Sequence, residues 1–116
     1  MKKVPRRTPK PIRFANKQAE KAFEKSFPKS INALFSGELE GVIAYGLMPT
    51  IESEPLPGGV IELKKNGSPA YRCVYKVLED VIVIVHAFKK TTNGSDKKNM
   101  ETLEQRLRNL DPDQFC

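Results

Sequence analysis

Lys64, Lys65, Arg72, Lys76, Lys89 and Lys90 crowd one part of the chain and are the side chains best suited to chemistry there. Arginine forks and lysine ammonium groups hold phosphate oxygens through charge-assisted hydrogen bonds, so such a gathering points to a polyanion. The other reactive types are sparse. His86 is the lone histidine, and Cys73 and Cys116 are the two cysteines. That set offers no ligand cluster, so neither a metal nor another cofactor is expected. Two separated thiols make no disulfide framework; one reads as buried and the terminal one as exposed.

The net charge of +6 is sorted along the chain. Residues 1–13 hold Lys2, Lys3, Arg6, Arg7, Lys10 and Arg13 and no acid, while residues 64–98 are the second basic region. The segments 14–63 and 99–116 are acidic on balance. A basic tail and a basic β-region flanking acidic helical segments favour a nucleic-acid partner. No apolar run approaches the roughly 18 residues that span a bilayer. Prolines follow the basic N-terminus where a secretory signal would place an apolar core. A cytoplasmic protein without membrane contact is therefore expected. At 116 residues the chain suits one domain.

Residues 1–11 (MKKVPRRTPKP) have no apolar periodicity and read as a flexible basic arm, ahead of a single domain over 12–116. Ile12 to Phe14 suits a short strand. Asn16 suits a helix N-cap, followed by Ala19, Ala22, Phe23 and Phe27 at helical spacing. Pro28 ends that helix and opens a second with an apolar stripe of Ile31, Leu34, Phe35, Leu39, Val42 and Ile43, stopped at Gly46. Met48 to Gly59, with three prolines and a Gly-Gly pair, reads as a loop. Val60 to Lys64 then makes a strand, and Asn66-Gly67-Ser68-Pro69 a turn. Tyr71–Leu78 and Val81–Phe88 form a β-hairpin about Glu79-Asp80. Past a polar loop, Ser95 or Asp96 caps a last helix with Met100, Leu103, Leu107 and Leu110 on one stripe. The expected fold is α+β, in the order β-α-α-β-β-β-α, with helices on one face of a mainly antiparallel sheet.

Strand parity sorts the side chains. A two-residue turn pairs Leu78 with Val81, Lys76 with Val83, Val74 with Val85 and Arg72 with Ala87. Arg72, Lys76 and Lys64 then share an open face, with Lys89 and Lys90 just beyond the strand end. His86 falls on the covered face, where it reads as a core or rim histidine ahead of a catalytic one, unless a bulge reverses the assignment.

The runs VIELKKNGSPAYRCVYKV and VIVIVHAFKKT, with the leucine-spaced terminal helix, resemble the RelE superfamily of toxins from bacterial toxin–antitoxin pairs. They are most similar to its phage-derived, HigB-like branch of host-inhibition proteins, and the likeness covers roughly residues 12–110. The resemblance implies a metal-independent endoribonuclease that cleaves messenger RNA in the ribosomal A site until a helix-turn-helix (HigA/XRE-like) antitoxin blocks it. The RNA's 2′-OH attacks the adjacent phosphate in such enzymes. By position, Arg72 matches the arginine of Y-R-x-x-Y, Lys90 with Lys89 the second cation, and Lys64 the basic residue closing E-L-K. Glu54-Pro55-Leu56 matches the setting of a glutamate base in some relatives. Lys65 and Lys76 extend the implied RNA-binding surface. RelE itself has a lysine where this chain has Glu62, and a tyrosine where it has only Thr91 to Asp96. The alternative is a non-catalytic inhibitor on the same scaffold, such as a ParE-like gyrase poison or a phage-derived binding protein.

Overall fold

The computed structural model describes residues 6, 8–90 and 96–116. Its elements are β1 (Ile12–Phe14), α1 (Lys17–Ser26), α2 (Lys29–Gly41), β2 (Ser53–Leu56), β3 (Val60–Lys65), β4 (Ala70–Val77), β5 (Ile82–Lys90) and α3 (Lys97–Arg108). Two short 3-10 turns, Ile43–Tyr45 and Pro112–Gln114, complete them. The fold is α+β, with a single sheet ordered β1-β5-β4-β3-β2. Among the described residues only β1 runs parallel to its neighbour, β5; the other neighbours are antiparallel.

Local chemistry explains the helix boundaries. The Asn16 side chain accepts from the Ala19 backbone N–H at 2.9 Å, satisfying one of the donors a helix start leaves open. Pro28 precedes α2 with φ −59°, offers no side-chain cap, and accepts from the Ile31 and Asn32 backbone N–H groups through its carbonyl. Gly46 takes φ +84°, a left-handed turn that ends the Ile43–Tyr45 segment at no Cβ cost. Arg6 and Lys10 bond through their backbone N–H groups to the Tyr45 and Ala44 carbonyls, both at 2.9 Å. Residues 1–5 and 7 of the expected arm lie outside the described residues.

Three expectations are corrected. Met48–Gly59 is not all loop, because Ser53–Leu56 forms the edge strand β2 against β3. Pro55 is tolerated there because an edge strand need not donate on its outer side. Second, the helices do not all cover one face. Phe23, Phe27, Phe35 and Leu39 of α1 and α2 pack on Leu63, Cys73, Tyr75, Ile82, Ile84 and Ala87. Leu103 of α3, with Met100 and Leu107, packs on Val60, Val74, Val83, Val85 and Phe88 across the sheet. The face assigned as open is therefore covered, and Arg72 on it is only 8% exposed.

Third, the hairpin register holds only near its turn. Leu78 N–H donates to the Val81 carbonyl at 2.9 Å, and Val77, Lys76 and Tyr75 oppose Ile82, Val83 and Ile84. Beyond them the ladder skips Val85, so Val74 faces His86, Cys73 faces Ala87 and Arg72 faces Phe88. One extra residue on β5 is a β-bulge, and it transfers His86 and Phe88 to the Arg72 side.

Candidate functional site

The bulged register aligns two cross-strand rows on the α3 side of the sheet. One runs Glu54, Glu62, Val74, His86 across β2 to β5; the next runs Lys64, Arg72, Phe88. Lys90, opposite Ala70, stands one row further on the same face. Neighbouring strands lie about 4.8 Å apart and successive same-face residues roughly 7 Å apart, so these polar side chains are within mutual reach. Asp96, just before α3, closes the group.

Each cation of the group meets a carboxylate of the same chain. Lys64 Nζ lies 2.6 Å from Glu54 Oε2, Arg72 Nε 3.7 Å from Glu62 Oε1, and Lys90 Nζ 3.2 Å from Asp96 Oδ2. The Asp96 side chain makes no helix-capping bond at the start of α3. Arg72 is also held from below: Nη1 donates to the Tyr71 carbonyl and Nη2 to Asn66 Oδ1, each at 3.0 Å. Asn66 in turn donates to Glu52 Oε2 at 2.5 Å. Two bonds and one ion pair fix the plane of the guanidinium while leaving N–H capacity for a ligand oxygen. The arrangement can bind an anion whose oxygens displace or share the carboxylate partners.

The two neighbouring glutamates are electrostatically unlike. Glu54 is exposed, and the hydrogen bond and charge of Lys64 hold its carboxyl below the usual range. Burial pushes the Glu62 carboxyl up, and the opposing pull of Arg72 and Lys64 does not cancel that.

His86 lies in the same face but is committed to packing α3. Its Nε2 meets Asn99 Oδ1 at 3.0 Å and its Nδ1 meets Arg106 Nη1 at 2.9 Å. A guanidinium only donates, so Nδ1 is the acceptor and the ring is the neutral Nε2–H tautomer. Burial, with the Arg106 charge, lowers its pKa to about 4 despite the Asn99 bond. Between that value and the unfolded one of 6.5, the unfolded chain binds the extra proton. The contribution of His86 to stability is therefore present above pH 6.5 and is lost, by about 3 kcal/mol, as the pH drops through that window. Urea unfolding at pH 7 and pH 4, compared with His86→Gln, checks this. Glutamine keeps an acceptor and a donor but gains no proton, so its pH slope should be shallower; equal slopes would refute the assignment.

The fold thus brings together Arg72, Lys64, Lys90 and Glu54 from the residues singled out in the sequence. It does not bring in the remaining three. Lys65 and Lys89 both pair with Tyr71 on the α1/α2 side, and Lys76 sits at the far end of the sheet donating to the Gly58 carbonyl at 2.7 Å. Glu62, Asn66 and Asp96 are the members that sequence reasoning passed over. The one available signal was parity, which puts Glu62 beside Lys64 on its strand face. The polar loop after Lys90 falls at 91–95, outside the described residues. Among the described residues no group of three or more His, Cys, Asp or Glu side chains could hold a metal ion, and no helix is long and apolar enough to cross a membrane.

Residues 22–108 match the family described as "Phage derived protein Gp49-like (DUF891)". No curated protein and no solved structure matches the chain.

Proposed function

The chain belongs to the Gp49-like family of phage-derived proteins, a RelE/HigB-like toxin family, and from that premise we propose that it is the toxin of a type II toxin–antitoxin pair acting as a metal-independent endoribonuclease on messenger RNA. Its site of action is the ribosomal A site in the cytoplasm, and its partner is a helix-turn-helix antitoxin. The observation that carries the nuclease reading is the convergence of Arg72, Lys64 and Lys90 at one end of one sheet face, with the Arg72 fork held by Asn66 and the Tyr71 carbonyl.

Cleavage by the RNA's own 2′-OH asks two things of a protein. Fixed positive charge must meet the extra negative charge that builds on the phosphate oxygens. The attacking oxygen must also be held in line with the leaving 5′-oxygen. Arg72 supplies a rigid fork for two phosphate oxygens. Lys64 and Lys90 are flexible point charges on either side, able to leave Glu54 and Asp96 when a phosphate arrives. Because a phosphate must compete with those carboxylates, binding should weaken with salt.

A translation extract programmed with a defined message tests the reading. Adding the purified protein should create new 5′ ends by primer extension within the translated region, and upstream fragments ending in 2′,3′-cyclic phosphate. Growth arrest on expression with messenger RNA intact would instead support a non-catalytic, ParE-like inhibitor.

A further inference from the structure

Two carboxylates stand beside the cations, and their positions suit them to different work. Glu54 lies on the edge strand β2, is exposed, and spends its charge on Lys64 at 2.6 Å. Glu62 lies one strand further in, between Glu54 and Val74, and is only 7% exposed. Its neighbour is the Arg72 Nε at 3.7 Å, and its carboxylate takes no hydrogen bond among the described residues. We propose that Glu62 is the general base, accepting the 2′-OH proton of an RNA whose adjacent phosphate is held by Arg72 and Lys64. The assignment rests on the nuclease reading and names the proton-transfer residue within it.

The geometry is favourable because one guanidinium serves both partners. Arg72 turns Nε toward Glu62, and Nη1 and Nη2 each keep one N–H beyond their bonds to the Tyr71 carbonyl and Asn66 for a phosphate oxygen. Glu62 and Arg72 stand in adjacent rows on neighbouring strands of that face, which puts the Glu62 carboxylate within reach of a 2′-oxygen beside an Arg72-held phosphate. In the step itself the 2′-O–H proton passes to a Glu62 carboxylate oxygen as the 2′-oxygen bonds to phosphorus. The P–O5′ bond breaks, and the 5′-oxygen takes a proton from water at the exposed Lys64–Glu54 edge. Glu62 later releases its proton to solvent, so the step needs no oxidant or co-reactant. The opposed environments of the two glutamates support the same division of labour. A carboxylate lifted above its ordinary range is the stronger base, and one held down by lysine is the weaker. His86 is excluded from the role, since both ring nitrogens are engaged beneath α3.

The test compares the purified wild type with Glu62→Gln and Glu54→Gln in the translation extract, by primer extension across pH, with ribosome co-sedimentation as the binding readout. Glu62→Gln should cleave about 100-fold more slowly or worse with binding retained, the range expected for loss of a general base. The wild-type rate should fall as the pH drops through the raised Glu62 pKa, and that acid limb should vanish in Glu62→Gln. Glu54→Gln should keep the limb and lose less than about tenfold, as a group that only orients Lys64. Wild-type cleavage with an unchanged rate and limb in Glu62→Gln overturns this assignment alone. Absence of any wild-type cleavage overturns the nuclease reading and this assignment together. If Glu62→Gln melts below the assay temperature, Glu62→Asp carries the test. A base withdrawn by one methylene should slow cleavage while keeping an acid limb, and an unchanged rate in a folded Glu62→Asp would overturn the proposal.

Discussion

Arg72→Ala should abolish growth arrest and lower the cleavage rate by about 1,000-fold, the loss typical of removing one preorganised donor from a developing oxyanion. That factor corresponds to roughly 4 kcal/mol of transition-state stabilisation. The size follows from how Arg72 is built in. It is 8% exposed, and its fork is fixed by Asn66, the Tyr71 carbonyl and Glu62, so little side-chain entropy remains to be lost when a phosphate binds. Arg72→Lys should recover only part of the activity, because an ammonium restores the charge without the bidentate geometry. Loss of fold is the rival explanation for an inactive alanine variant, since removing the arginine strands a buried glutamate. Arg72→Ala combined with Glu62→Gln removes that charge, so it should melt higher than Arg72→Ala while staying equally inactive. Arrest that persists in folded Arg72→Ala would contradict any phosphate-holding role for the arginine.

What the sequence revealed and what it hid divide along one physical line. Periodicity and capping are local, and the elements they define were legible: β1, α1 from its Asn16 cap, α2 from Pro28, and the paired strands around Glu79-Asp80. Contacts set by register were not. Val81 to Phe88 is almost continuously apolar, and nothing in such a run says which residue will be skipped. The skipped residue, Val85, then decides on which face His86 and Phe88 lie. The stripe of α3 was plain, but a stripe names an apolar face and not the sheet surface it will cover. Strand β2 was hidden by Pro55 and the Gly58-Gly59 pair, which signal a loop unless the strand is at an edge. The same division runs through the site. Arg72, Lys64 and Lys90 could be selected by residue type and by resemblance, whereas the partners Glu62, Asn66 and Asp96 depend on cross-strand alignment and on the start of α3.

The second large effect belongs to the opposite face of the sheet. Phe35→Ala should lower stability by about 4 kcal/mol, within the range for deleting a buried phenyl ring. Phe35 is fully buried and lies at one end of an edge-to-face series. Its ring centroid is 5.0 Å from that of Phe27, which is 5.1 Å from Phe23 and 6.0 Å from Tyr71. Removing one ring therefore leaves a cavity and also loosens Phe27, whose other contacts depend on that position. A domain of this size is stable by only about 5–15 kcal/mol, so urea unfolding should show a large shift of midpoint at nearly constant slope. The series ends on Tyr71, whose carbonyl accepts from Arg72 on the other side of the sheet. If the aromatic layer serves only to hold β4 in place, folded Phe35→Ala at low temperature should cleave at the wild-type rate. A lowered rate at full folding would mean instead that packing beneath Tyr71 tunes the Arg72 fork, and that the two faces of the sheet are coupled through β4.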